Sequence, residues 1–288
     1  MSDGKRMWAG WAGCAWIVVL ALAAPASAQQ RPLVTEDPAT VGAGQVLIEA
    51  GFDRVRGATF PLSGLQGDLT SVPTIGISVG VGPIAEIQID GSPYRRLDIT
   101  GRRPAPLSSI LSFTGDRTSA VDDVVIATKL RFLNEGPRRP AIGIRFATRL
   151  PNASNESGLG QDTTDFFASF LIGKSVARVR WVANAGLAIV GDPVVAARQE
   201  DLLTFGMSLA ARLRWGLEAV TEYNGRMNLA SSSPVPGTEN RGIARAGLRL
   251  SHRALRFDAA ALIGATSNDP DLGVTTGLTW TFRAFRMP

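Results

Sequence analysis

The stretch TIGISVGVGPIAEIQID, Thr74 to Asp90, decides the fold. Ile75, Ile77, Val79 and Val81 alternate with Thr74, Gly76, Ser78 and Gly80. After a Gly-Pro pair, Ala85, Ile87 and Ile89 alternate with Glu86, Gln88 and Asp90. Period-two alternation puts apolar side chains on one face of a strand and tiny or charged ones on the other. Only a tight turn separates the two strands. Two environments suit such a ribbon: lipid against the apolar face with a polar lumen behind, or a protein core with water outside.

Read for the same alternation, the rest of the chain gives about twelve strands. They fall near 45–55, 72–81, 84–91, 121–132, 141–150, 164–172, 176–189, 202–212, 214–224, 242–251, 255–264 and 273–284. Many run to about 9–11 residues, the length that crosses a bilayer as a tilted strand. The connections alternate in length. Arg56 to Ser71 is long and Gly82-Pro83 short; Ser92 to Ala120 is long and LNEGPRRP compact. NASNESGLGQD is long and GKS short; VGDPVVAARQED is long and the reversal at Arg212 to Arg214 short. RMNLASSSPVPGTEN is long, SHRA short and TSNDPDL intermediate. Long loops at one end of a sheet and short turns at the other mark an outer-membrane barrel, in which lipid covers the apolar face and closure leaves no edge. The fold class expected is all-β: a single antiparallel transmembrane β-barrel of about 12 strands, with short periplasmic turns and long outer loops.

Composition and the chain start agree. Of 288 residues, 19% are charged and 45% hydrophobic, with 31 glycines, which is not a disordered composition. Lys5 and Arg6, an apolar run from about Trp11 to Ala24, and Ala26-Ser27-Ala28 form an export signal with its cleavage site after Ala28. The domain reading is signal peptide 1–28, N-terminal periplasmic segment 29–44 and barrel 45–288, located in the cell outer membrane. The polar stretch Arg31 to Gly44 either folds into the barrel mouth or hangs free. Cleavage removes Cys14, the only cysteine, so no disulfide framework is expected. The net charge of +5 comes from arginines spread singly through the strands rather than in a block, which argues against nucleic acid.

Aromatic residues give a second check. Phe132, Trp181, Trp215, Phe257, Trp280 and Phe282 fall on the apolar phase within a few residues of short turns or the C-terminus, where one interfacial girdle belongs. The competing reading makes them core residues of a soluble exported β-sandwich or lipocalin-like binder.

The polar phase collects the candidate functional residues. Arg145, Arg149, Arg178, Arg180, Arg212, Arg245, Arg249, Arg256 and Arg283 share it with Glu49, Glu86, Asp90, Asp165, Glu218, Glu222 and Asp258. A simple register puts Glu222 opposite Arg245 and Glu218 opposite Arg249. Cross-strand pairs of opposite charge stabilise a sheet modestly. Two roles are open for Arg145, Arg149, Arg178, Arg180, Glu218, Glu222, Arg245 and Arg249: a salt-bridge lattice that fills the interior, or an arginine-lined path selecting anionic solutes such as carboxylated aromatics. With about twelve strands the pore is expected to be narrow or partly plugged.

No catalytic residue is assigned. His252, the only histidine, sits in the turn SHRA without a partner pattern. Glu218 and Glu222 are roughly 13 Å apart along a strand, too far for a paired-carboxylate site. Gly158-Leu-Gly160 lacks the third glycine of a nucleotide loop. The loops near 152–165 and 266–271 carry oxygen ligands, as solvated loop tips also do. No metal and no cofactor are expected.

Several segments together resemble a known family. These are Thr35-Glu36-Asp37, Gly42-Ala-Gly44-Gln45 and Glu49, Lys129-Leu-Arg131-Phe132, Leu150-Pro151, Gly158-Leu-Gly160, Thr163-Thr164-Asp165-Phe166, Gly173-Lys174-Ser175 and Gly191-Asp192-Pro193. In their order they are similar to the outer-membrane family named for the meta-pathway of phenol degradation, over roughly residues 33 to 284. The chain departs from the family pattern in having Asp122-Asp123 for Gly-Asp, and in ending Arg286-Met287-Pro288 after Phe282 and Phe285. The resemblance implies a β-barrel, solute uptake and no catalytic residues. The function expected is an outer-membrane channel or transporter for passive passage of small solutes, with aromatic or anionic compounds as candidates. The alternatives are a soluble exported β-barrel binding protein and a filled structural or adhesion barrel. Expected partners are outer-membrane lipid, a small-molecule solute and the barrel assembly machinery; nucleic acid is not one, and the oligomeric state is open.

Overall fold

The computed structural model describes residues 31–195, 197–229 and 235–286. The export signal lies outside the described residues. In chain order the strands are β1 (Gln45–Phe60), β2 (Leu65–Gly80), β3 (Ala85–Gly91), β4 (Arg95–Arg102), β5 (Arg117–Ala120), β6 (Val124–Leu133), β7 (Ala141–Leu150), β8 (Asp165–Val176), β9 (Val179–Gly191), β10 (Gln199–Arg212), β11 (Leu217–Asn228), β12 (Arg241–His252), β13 (Leu255–Gly264) and β14 (Leu272–Arg283). Neighbours in the sheet run β1-β14-β13 and so on down to β6, then β3 and β2, and β1 also pairs with β2, so the sheet closes. Twelve strands form the ring. β4 and β5 continue the sheet from β2 and stand outside the ring.

The alternation resolves in favour of lipid. In β3, Glu86 and Gln88 are 0% and 1% exposed, while Ile87 and Ile89 are 40% and 45% exposed. Charged and polar groups point into the lumen, and the apolar residues form the outer surface. That arrangement is the reverse of a soluble sandwich. Phe132, Trp181, Phe257 and Trp280 are exposed outside near the short turns, Trp215 sits in the β10–β11 turn, and Trp280 stacks on Phe282 at 4.3 Å. The band of aromatics suits the level of lipid headgroups.

One expected loop is strand instead. Arg56 to Ser71 does not form a long connection: β1 and β2 run on to Phe60 and from Leu65, joined by residues 61–64. Register shifts between Gly51 and Asp53, and between Val55 and Ala58, break the alternation there. Such bulges insert unpaired residues, so a period-two reading loses phase across them. The expected loop 92–120 likewise contains β4 and β5. β2 pairs with β4 from Leu65 to Ser71 and with β3 from Ile75 to Gly80. Pro73, which has no N–H to donate, lies where the partner changes. Above this point Leu65, Leu97 and Leu159 are buried together, with Phe60, Leu69, Ile99, Leu111 and Phe113 packed on them. This small core ties the β4–β5 hairpin to the β7–β8 loop, where Thr118 Oγ1 also donates to the Ser157 carbonyl at 2.8 Å.

Candidate functional site

The lumen is crossed by residues 31–44, the stretch assigned above to a periplasmic segment. Leu33 and Val41 are 5% and 0% exposed, so the segment is enclosed by the wall. Its backbone polar groups and acids need partners in that enclosure, and the inward face of the strands supplies them in turn.

Arg31 donates to Asp53 (3.2 Å), to Thr74 and Thr275 hydroxyls (2.8 and 2.6 Å) and to the Thr276 carbonyl (2.8 Å). Its own carbonyl accepts from Arg249 (2.8 Å) and Arg256 (3.1 Å). The N–H groups of Val34 and Thr35 donate to Glu222 at 2.9 and 2.5 Å. Glu36 lies 3.2 Å from Lys129 and 2.9 Å from Arg145. With its amide oxygen toward the segment, Asn184 accepts from the Glu36 N–H (2.7 Å) and donates to the Glu36 carbonyl (2.9 Å), much as a strand would. Asp37 receives two bonds from Arg180, at 2.7 and 2.8 Å. The Val41 N–H donates to Glu86 at 2.5 Å. Finally Gly44 N–H donates to the Gly80 carbonyl at 2.9 Å, just before β1.

Close approach is built in as well as charge. A side chain at Gly80 would put its Cβ 2.1 Å from the Gly42 carbonyl oxygen, and one at Gly206 would lie 2.7 Å from the Thr35 hydroxyl. Only glycine leaves room for the segment at these two points.

The sequence-derived residues distribute as follows. Arg145 and Arg180 bind the segment directly. Glu222 bridges it to Arg245, which lies 2.8 Å away. Arg249 holds the Arg31 carbonyl and stands 4.0 Å from Glu218. The expected register is the observed one, with Glu222 opposite Arg245 and Glu218 opposite Arg249. Arg149 belongs to a separate group nearer the outer loops, against Asp165 and Gln161. Arg178 is not on the wall: it is exposed in the turn between β8 and β9. Ala177 adopts φ 52° there, so alternation does not carry through. Arg212 and Arg283 are exposed at strand ends on the short-turn side.

Sequence reasoning did not assign Lys129, Glu36, Asp37 or Arg31 to the lumen. Lys129 is fully buried between Glu36 and Glu86, at 3.2 and 2.9 Å. The alternation of Val125, Ala127, Lys129 and Arg131 would have placed it inward. Nothing local marks the acids of residues 36–37 as lumen groups, because their partners are far along the chain.

On the short-turn side Glu135, between β6 and β7, accepts from Lys174 (3.1 Å), the Ser175 N–H (2.7 Å) and Arg180 (2.5 Å). Burial raises the Glu135 carboxyl, but the Ser175 amide, Lys174 and Arg180 outweigh it and hold it below the ordinary glutamate value. Cavities lie on both sides of the segment. One of about 240 Å³ is lined by Leu33, Asp37, Glu135 and Arg180, and one of about 430 Å³ by Val34, Thr35, Glu36, Arg145 and Phe167. Among the described residues no group of three His, Cys, Asp or Glu is placed to hold a metal ion.

No family model and no curated protein matches the sequence. Solved structures do match. The outer membrane channel from Pseudomonas putida F1 aligns with a TM-score of 0.62 at 11% identity, over 84% of this chain and 97% of that one. The translocator domain of autotransporter NalP from Neisseria meningitidis gives a TM-score of 0.49 at 12% identity, over 82% and 88%. LpxR from Salmonella typhimurium gives 0.42 at 9% identity, over 83% and 100%. At this identity the first likeness bears on fold, and the chain has the fold of an outer-membrane β-barrel.

Proposed function

We propose that the protein is an outer-membrane channel for passive passage of small solutes, in which residues 31–44 form a salt-linked plug. The observation that carries this reading is that the segment is tied to the wall by ion pairs of Glu36 and Asp37 and by backbone bonds to Glu222 and Glu86, with cavities on both sides of it. A lumen meant only to be solid would be filled by apolar or interlocking wall residues. Here the barrier is a separate piece of chain, covalently continuous with the wall only through β1 and held to it by discrete ion pairs and hydrogen bonds. The inward arginines offer contacts to anionic solutes, and the resemblance of the sequence to proteins named for phenol degradation points to aromatic ones. We assign it no chemistry of its own. Lipid of the Gram-negative outer membrane and the barrel assembly machinery are the partners this reading requires.

The test is purified full-length protein with the heat-modifiable gel mobility of a folded barrel, in planar bilayers and in liposome swelling with neutral, anionic and aromatic solutes. Conductance and solute-selective swelling are expected. A folded barrel with neither would remove the channel claim. That result would favour the filled structural barrel, a reading for which the burial of Leu33 and Val41 already speaks.

A further inference from the structure

We infer that the outer half of the lumen contains a binding site for an aromatic monocarboxylate, built on Arg226 and Arg241. The inference deepens the channel reading and rests on it for how the solute arrives.

The two arginines are cross-strand partners on β11 and β12, both on the inward phase. Like charges directly opposite destabilise a sheet, so the pair calls for an explanation. Most other inward arginines are neutralised: Arg145, Arg149, Arg180, Arg245, Arg249 and Arg256 each have a carboxylate within 4.0 Å, while Arg131, near the short turns, donates to the Pro83 carbonyl. Among the described residues neither Arg226 nor Arg241 has one. Their bonds go to neutral carbonyls instead. Arg226 donates to Gly237 (2.6 Å) and Glu239 (3.1 Å), and Arg241 to Thr59 (3.2 Å). These bonds fix the two forks in place without cancelling their charge. Arg241 Nε is buried with no acceptor.

Nearby acids are mostly held by other groups. Asp122 pairs with Arg95 at 2.7 Å. Asp123 accepts from the N–H groups of Asn152 and Ala153. Asp165 is held by Arg149, and Glu239 accepts from the Gly237 N–H at 2.8 Å through one oxygen, its other oxygen being buried without a hydrogen-bond partner and farther than 4.0 Å from either guanidinium.

Both arginines line two cavities. One, of about 370 Å³, lies under the outer loops with Arg149 and Gln161; the other is the deeper cavity of about 430 Å³ above the plug. The pair therefore stands at their junction. Across the deeper cavity Phe167 presents an apolar surface, supported by Ala188, Val190 and Leu202. Volumes of this size lie within the range of small-molecule sites. A planar guanidinium reads a carboxylate through paired N–H bonds, and an aromatic ring suits the face of Phe167. A cationic wall facing an apolar one selects a solute with one end of each kind.

The test uses benzoate, with benzyl alcohol and acetate as partial mimics, titrated by calorimetry into full-length protein in detergent. Wild type, Arg241→Gln and Arg226→Gln are compared, each checked for heat-modifiable mobility. Saturable benzoate binding is expected, at least tenfold tighter than either mimic and at least tenfold weaker in each variant. Should Arg226→Gln lose the fold through its Gly237 and Glu239 bonds, Arg241→Lys keeps the charge and removes the fork; weaker benzoate binding by a folded Arg241→Lys supports the site. Benzoate bound equally by wild type and the folded Arg241 variants would overturn it, as would benzyl alcohol binding equally well. Conductance of the same samples separates the two ideas. Conductance without benzoate binding leaves the channel and removes the site, whereas benzoate binding without conductance leaves the site and removes the channel.

Discussion

Lys129→Met tests the attachment of the plug. The methionine keeps the length of the side chain and removes its charge. Lys129 Nζ stands 3.2 Å from Glu36 on the plug and 2.9 Å from Glu86 on the wall, with no exposure to solvent. Those two distances put the carboxylate oxygens at most ~6 Å apart. Without the cation between them, two negative charges at ~6 Å in an effective dielectric of about 20 repel by ~3 kcal/mol. Arg145 still neutralises Glu36 at 2.9 Å, and Glu86 keeps the Gln88 amide and the Val41 N–H, so neither acid is orphaned. A shift of ~3 kcal/mol is about a 100-fold change in the population of the detached plug. Hydrogen–deuterium exchange over residues 35–44 should quicken by that order in Lys129→Met, and open events in planar bilayers should become more frequent. Adding Glu36→Gln removes one of the opposed charges and should return most of the protection, as a coupled pair requires. Unchanged exchange in Lys129→Met, or a double variant that exchanges no more slowly than the single one, would refute the reasoning.

Three further outcomes are expected. Gly80→Val puts atoms where the Gly42 and Val41 carbonyl oxygens stand 2.1 and 2.6 Å from the Cβ position; residues 41–44 should be displaced and conductance raised, with heat-modifiable mobility retained, and an unchanged conductance would contradict the close approach. Glu135 has a depressed value in the fold, so its contribution is full above the ordinary glutamate value of about 4.3 and is lost as the pH falls through the lower folded value. The thermal midpoint of the wild type should therefore drop on acidification below about pH 4 more than that of Glu135→Gln, and parallel curves would remove the claim. Leu187→Arg puts a charge on the outward face of β9, where Leu187 is 52% exposed, and should cost ~2–4 kcal/mol of stability in lipid. A folding yield in liposomes equal to wild type would argue against lipid at this face.

The wall of the barrel was legible because its rule is local. Each inward Glu86 or Gln88 has an outward Ile87 or Ile89 beside it, and lipid enforces the alternation strand after strand. Reading failed where the backbone leaves that rule. The bulges at Gly51 and Val55 hid the outer halves of β1 and β2. Ala177, at φ 52°, ended the phase that had been extended to Arg178. The hairpin of β4 and β5 is held by contacts of Leu97 with Leu65 and Leu159, which no local pattern announces. The course of residues 31–44 was the least legible part. Asp37 meets Arg180 at a separation of 143 residues, and Thr35 meets Glu222 at 187. Glu222 and Arg245 were readable as a pair from their register; that the pair also grips a third piece of chain was not.

A ring of strands has a single joint between pieces far apart in the sequence, here the ladder that runs from Gln45↔Arg283 to Arg56↔Leu272. Arg31 straddles that joint, with Asp53 of β1 on one side and the Thr275 hydroxyl and Thr276 carbonyl of β14 on the other. Its carbonyl meanwhile ties in β12 and β13 through Arg249 and Arg256. The same residue that begins the obstruction thus works as a clasp for the finished hoop. Removing residue 31 should therefore loosen the β1–β14 joint as well as the segment that it anchors.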